Sequence, residues 1–89
     1  MKILAVCGMG LGSSLMLRMQ IEAALKELGV TNFKVEVTDV STAKGMAADL
    51  IVTSPQFVDR LQGGPPVVAI KNYVDKQEMR SKLTEALKL

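Results

Sequence analysis

Lys2-Ile3-Leu4-Ala5-Val6-Cys7-Gly8-Met9-Gly10-Leu11-Gly12-Ser13-Ser14 is the stretch whose reading decides the fold. Ile3 to Val6 is a short, uncharged, partly β-branched run that stops at a glycine-rich turn. Such a run reads as a strand buried on both faces. Beyond the turn the apolar period changes. From Ser13 to Leu28, the residues Leu17, Ile21, Ala24, Leu25 and Leu28 fall at helical spacing, and Gly29 supplies a stop.

The same alternation continues along the chain. Phe33, Val35 and Val37 alternate with Lys34, Glu36 and Thr38, the pattern of a half-buried strand. Ser41 is expected to cap a short helix that runs out near Gly45. Leu50–Thr53 is a third apolar run, and Pro55 suits the first turn of a further short helix ending at Gly63-Gly64-Pro65-Pro66. Val67–Ile70 is the fourth run. Met79, Leu83, Ala86 and Leu87 then recur at helical spacing, with Asp75 as the expected cap and Glu78 as its capping-box partner. Strands alternating with helices imply right-handed crossovers. The expected architecture is an α/β fold, Rossmann-like, with a four-stranded parallel sheet flanked by helices on both faces. No repeat or linker divides the chain, so residues 1–89 are expected to form a single domain.

Composition narrows the function classes. Hydrophobic residues make up 48% of the 89 residues, enough for a packed core. Eleven Lys+Arg stand against 9 Asp+Glu, and aromatic residues reach only 3%, so neither a basic footprint nor a base-stacking surface for nucleic acid is expected. The absence of His excludes a Ser-His-Asp triad, a Cys-His pair, a phosphohistidine carrier and a His-ligated metal. The single Cys excludes an internal disulfide and a Cys-cluster zinc site, and fits a reducing compartment. The segment from Ile3 to Leu17 is uncharged but too short and glycine-rich to span a membrane. Leu4-Ala5-Val6-Cys7 only faintly matches a lipoprotein cleavage site, because Val6 is a poor small residue and almost no chain precedes it. A cytoplasmic location without membrane insertion is expected.

In parallel α/β sheets, ligands sit beyond the carboxyl ends of the strands. The loops to watch are 7–13, 39–42, 53–55 and 71–73, and the first carries the chemistry. Gly8, Gly10 and Gly12 let the backbone approach a ligand closely. Successive N–H groups in such a loop converge on one anion, and the following helix adds its free N–H groups and positive dipole end. Ser13 and Ser14 add hydroxyl donors. The expected ligand is a phosphate-sized oxyanion held by Gly8, Met9, Gly10, Leu11, Gly12, Ser13 and Ser14, with Cys7 at the base of the cradle. A helix N-terminus also lowers a thiol's pKa, so Cys7 is expected to carry an appreciable thiolate fraction.

Two known glycine loops do not fit. A nucleotide-binding loop needs Lys and then Ser/Thr after its last glycine, and Gly12 is followed directly by Ser13. Gly8-x-Gly10-x-Gly12 is not the dinucleotide string either, and no acidic residue is well placed for a ribose. The small cysteine phosphatases are nearer. They place Cys at the end of a first strand and Arg six residues later, where this chain has Ser13; its nearest Arg is Arg18, well into the helix. Without the guanidinium that stabilises the charge of transfer, the loop is better suited to keep a phosphoryl group than to hydrolyse it.

On the stretch from Lys2 to Ser14, and on the strand–helix order over essentially the whole chain, the sequence resembles the IIB domain of the bacterial phosphotransferase system (PTS) for sugar uptake. The ascorbate type is the nearest branch, with the lactose and galactitol types behind it. The string Cys-Gly-x-Gly-x-Gly-Ser-Ser carries the likeness; the remainder is compatible without being diagnostic. The resemblance implies a protein-phosphohistidine–sugar phosphotransferase. A phosphohistidine on a IIA protein passes its phosphoryl group to the cysteine matching Cys7, and the phosphocysteine donates it to the sugar held by the membrane protein IIC. Residues Gly8 to Ser14 match the loop that holds the group, and no cofactor follows. Meeting two partners in turn favours a free monomer.

Plainer roles exist for each residue. Cys7 can be a small core residue, and the glycines a tight strand–helix turn. Ser13 and Ser14 can cap the helix. Met9 and Leu11 can pack or dock. Arg18, Lys44, Arg60 and Lys71 can be solvated charges or can steer a phosphorylated partner. Asp39 can be a proton acceptor or a turn and cap residue. Thr53 and Ser54 can approach the loop from the third strand or cap the segment at Pro55. A phosphatase and a non-catalytic thiol regulator are the alternatives to a carrier; the lack of a resolving Cys weighs against the regulator.

Overall fold

The computed structural model describes residues 1–6, 11–73 and 75–88, and for residues 11–14 the backbone alone. In chain order the elements are β1 (Lys2–Val6), α1 (Leu11–Glu27), β2 (Lys34–Thr38), α2 (Val40–Ala43), β3 (Leu50–Thr53), a 3₁₀ segment (Pro55–Leu61), β4 (Val67–Ala69) and α3 (Lys76–Leu87). The strands form one sheet in the order β2-β1-β3-β4, and every pairing is parallel. Ile3 lies beside Val35 on one side and Leu50 on the other, and Val52 lies beside Val68.

Strand alternation divides the core into two layers. Ile3 and Ala5 of β1, with Leu50 and Val52 of β3, pack against Leu17, Ile21 and Leu25 of α1 and Met79 and Leu83 of α3. Leu4, Val6 and Ile51 point the other way, toward Ala43 of α2 and Leu61 of the 3₁₀ segment. Ile3 to Val6 are all 0% exposed, so β1 is covered on both faces. The expected four-stranded parallel sheet with helices on both faces is the fold observed.

The ends of α1 show how local chemistry sets the boundaries. At its C-terminus Gly29 takes φ +83, Val30 N–H donates to Leu25 C=O at 2.9 Å, and Gly29 N–H donates to Lys26 C=O at 3.2 Å. This is the Schellman arrangement, which needs a left-handed residue at the position Gly29 fills. At its N-terminus α1 begins at Leu11, two residues before the expected start at Ser13. Gly12 costs a helix only about 1 kcal/mol relative to Ala, which the packing of this long helix outweighs.

Two capping expectations are corrected. Asp39, not Ser41, caps α2: its backbone is extended and its carboxylate accepts from Thr42 N–H at 2.7 Å, whereas Ser41 lies inside the helix. Asp75 caps α3 as expected, accepting from Gln77 N–H and Glu78 N–H at 3.0 and 3.1 Å. Glu78 does not complete a capping box with it. Asp75 N–H is already taken by Asn72 C=O at 3.0 Å, and the Glu78 carboxylate instead accepts from Lys71 N–H at 2.9 Å and Asn72 N–H at 3.0 Å.

Leu83 is fully buried where α3 meets the sheet and α1. Replacing it by Ala removes transfer energy and leaves a cavity, with an expected loss of about 2–5 kcal/mol. Urea unfolding of Leu83→Ala checks this; a loss under about 1 kcal/mol contradicts the packing described.

Candidate functional site

The strand order contains a single reversal. From β1 the chain crosses through α1 to β2 on one side, and from β2 it returns through α2 to β3 on the other. The crevice outside the carboxyl ends of β1 and β3 is therefore the topological switch point, the default ligand position in an open parallel sheet. Cys7 is the next residue after β1, and Ser54 the next after β3.

Cys7, Gly8, Met9 and Gly10 lie outside the described residues, and Leu11, Gly12, Ser13 and Ser14 form the first turn of α1. A helix of 17 residues therefore starts at the switch point, and its first turn carries no acidic residue. Its unpaired N–H groups and positive dipole end make that turn favourable for an anion.

Among the described residues Thr53 is the buried polar residue of the core. Its hydroxyl donates to the Val6 carbonyl at 2.8 Å, tying the end of β3 to the end of β1 across the switch point. Ser54 caps the 3₁₀ segment by position, but its side chain makes no capping bond. Pro55 follows at once and has no N–H to offer. Among the described residues the buried Ser54 Oγ has no partner.

The neighbouring loops are held by carboxylates. The hydrogen bond from Thr42 N–H lowers the Asp39 carboxyl below its ordinary value, so Asp39 serves as a cap and is a weaker base than an ordinary carboxylate. Glu78 is lowered first by the hydrogen bond from Lys71 N–H, helped by Asn72 and Lys82 against the opposing effect of burial. Lys82 Nζ also donates to Ala69 C=O at 2.7 Å, so α3 holds the chain on both sides of Ile70.

The remaining candidates separate. Arg18 Nε lies 3.6 Å from Glu22, one helical turn farther from the start of α1. Lys71 is exposed beyond β4. Lys44 and Arg60 line a cavity of about 350 Å³ with Ile51 and Leu61, where the chain enters β3 and β4, at the opposite end of the sheet. Sequence reading missed the exposed apolar side of α1. Leu15, Met16 and Met19 are 51%, 44% and 67% exposed. They are the apolar residues left over when the buried stripe through Leu17, Ile21 and Leu25 is removed, so the signal was present. No group of three or more potential metal ligands occurs among the described residues, and none of their helices is long and apolar enough to cross a membrane.

Fold and edge together define an α/β protein whose first long helix follows the β1 edge of the switch point. The family described as PTS system, Lactose/Cellobiose specific IIB subunit, matches residues 2–85. The Ascorbate-specific PTS system EIIB component of Mycoplasma pneumoniae is 33% identical over 89 residues, covering 96% of this chain and 93% of its own. Proteins of the same description from Shigella sonnei and Salmonella typhimurium are 32% and 30% identical, each covering 98% of this chain and 89% of its own. The chain belongs to the PTS IIB family, and so is a subunit of a sugar phosphotransferase system.

Two outcomes are expected. Thr53→Val removes the tie to Val6 and lowers stability by about 1–3 kcal/mol in urea unfolding. Glu78 has a lowered folded-state pKa, so its contribution is full above the ordinary carboxylate range and is lost as pH falls through the lower folded value. Glu78→Gln is therefore less stable than wild type at neutral pH, and the difference narrows on acidification; thermal melting from neutral to acidic pH checks the sign.

Proposed function

We propose that the chain is the phosphoryl carrier of its system, with Cys7 as the residue that carries the group. The observation that supports this best is the coincidence of the only Cys with the switch point, directly before a glycine loop and a long helix whose first turn lacks acidic residues. Family membership supports IIA and IIC partners, and in this reading IIA bears a phosphohistidine and IIC is the membrane protein that holds the sugar. The names of the relatives point to ascorbate as the substrate.

In this reading the Cys7 thiolate attacks the phosphorus of the IIA phosphohistidine. The S–P bond forms, the N–P bond breaks, and the histidine nitrogen leaves with the electron pair. A hydroxyl of the sugar held by IIC then attacks the phosphocysteine. The O–P bond forms, the S–P bond breaks, the thiolate is restored and the hydroxyl proton passes to solvent. Gly8, Met9, Gly10, Leu11, Gly12, Ser13 and Ser14 supply amides and hydroxyls to the phosphoryl oxygens, and charge neutralisation needs no cofactor.

The pairing of Arg18 with Glu22 favours carrier over phosphatase, since it directs that guanidinium along the helix and away from its first turn. The exposed Leu15, Met16 and Met19 suit transient docking, because both partners must reach the same cysteine and soft apolar side chains adapt to more than one surface.

Intact mass after incubation with phosphoenolpyruvate, the general phosphotransferase proteins and the cognate IIA tests the proposal. Wild type is expected to gain one phosphoryl group and Cys7→Ser none. An unlabelled wild type beside a phosphorylated IIA overturns it, and robust hydrolysis of an aryl phosphate that depends on Cys7 returns the phosphatase reading.

A further inference from the structure

We infer that the cavity between α2 and the 3₁₀ segment is a second ligand site, shaped for a small organic phosphate and independent of the carrier reading.

The cavity lies on the face of the sheet away from α1 and α3, at the end where the chain enters β3 and β4. Its volume of about 350 Å³ falls within the range of small-molecule pockets, about 300–1,000 Å³. The floor is formed by Ala43, Ile51 and Leu61. Those side chains are only 2%, 1% and 4% exposed, so recognition falls to the rim.

The rim is rich in donors. Lys44 at the end of α2 and Arg60 near the end of the 3₁₀ segment both line the cavity. Neither forms an ion pair with another described residue. No carboxylate lines the cavity among the described residues, and Asp49, just before β3, is engaged by Lys2 N–H at 2.8 Å. Two like charges facing one concavity repel, and an anion between them relieves the repulsion. Gly63 and Gly64 complete the rim, and among the described residues their N–H groups donate to no backbone carbonyl. Gly63 needs its φ of +87, but Gly64 has no positive φ, and a Cβ there would meet only the Leu61 carbonyl at 4.0 Å. Neither strain nor packing calls for glycine at 64; close approach of a ligand to the backbone does.

The donor set selects the ligand class. A guanidinium fork grips two oxygens, an ammonium reaches a third, and two charges match a dianion better than a single carboxylate. The cavity is larger than a bare phosphate ion, so an organic substituent fills the remainder. The opposite end of the sheet carries the switch point, so this site and the anion site proposed there can be filled together.

Titration of the ¹⁵N-labelled chain with phenyl phosphate, inorganic phosphate and benzoate, followed by NMR, tests the inference. Phenyl phosphate is expected to shift the amides of Lys44, Leu61, Gln62, Gly63 and Gly64 saturably, and to bind more tightly than either other probe. Lys44→Ala and Arg60→Ala alter exposed side chains, so their melting temperatures are expected to match wild type. Each is expected to weaken binding about fivefold. Cys7→Ser is expected to leave the cavity shifts unchanged, which separates this site from the proposed carrier site. No saturable shift at these amides at millimolar phenyl phosphate overturns the inference, as does binding that survives loss of both cations. Benzoate binding as tightly as phenyl phosphate overturns the assignment to phosphates.

Discussion

The hydrogen bond from the Thr53 hydroxyl to the Val6 carbonyl closes the sheet at the one place where its winding reverses. Everything at the carboxyl edge depends on that closure. In a parallel sheet the ladder runs out at the strand ends, and the last carbonyl of a central strand must find a donor away from water. Here a side chain of the neighbouring strand supplies it. The end of β1 is thereby fixed relative to the end of β3, and with it the point from which the chain departs into the glycine loop and α1. A β-branched residue suits the role, since its restricted rotamers hold the hydroxyl in place at small entropic cost.

The neighbouring loops are fixed by the same kind of device, with carboxylates as acceptors. Asp39, Asp75 and Glu78 all accept backbone N–H groups at the carboxyl edge. Each organises a turn, and in doing so is committed to the backbone. This matters for the anion site proposed above: these carboxylates are already engaged by backbone donors, and no acidic residue lies in the first turn of α1. The positive potential of that helix start is left for an incoming group.

How much of this was legible in the sequence follows from the range of each interaction. The strands were readable because Ile3–Val6 and Leu50–Thr53 are uninterrupted apolar runs, and covered strands leave that trace. The buried stripe of α1 was readable from spacing alone. Strand order was not, because it depends on which neighbour each strand takes, so Thr53 could be read as approaching the first loop but its bond to Val6 could not be read. Glu78 misled for a related reason. Asp75-x-x-Glu78 has the spacing of a capping box, but the N–H it would have bonded belongs to a turn closed by Asn72, and a carboxylate goes to the free donors it can reach. The Ser54 hydroxyl was invisible for a different reason: what marks it is an absent bond, and no sequence pattern records that.

The outer edge of the sheet explains why association should use side chains and not backbone. Along β4, Pro66 accepts from Ile51 and Ile70 donates to Thr53, so the inward-facing groups alternate and the Ala69 carbonyl between them points outward. An open edge of this kind is a template for pairing with another chain. Lys82 takes that carbonyl at 2.7 Å while its charge is balanced by Glu78 at 3.3 Å, and Pro65-Pro66 removes N–H groups at the other end of a strand only three residues long. Strand addition at this edge is thereby hindered at the Ala69 carbonyl and at the prolines. The carrier role proposed above, with two partners bound and released in turn, is served by side-chain contacts that form and break readily. Among the described residues the large exposed apolar side chains are Leu15, Met16 and Met19 on one side of α1, the helix that begins at the proposed phosphoryl site.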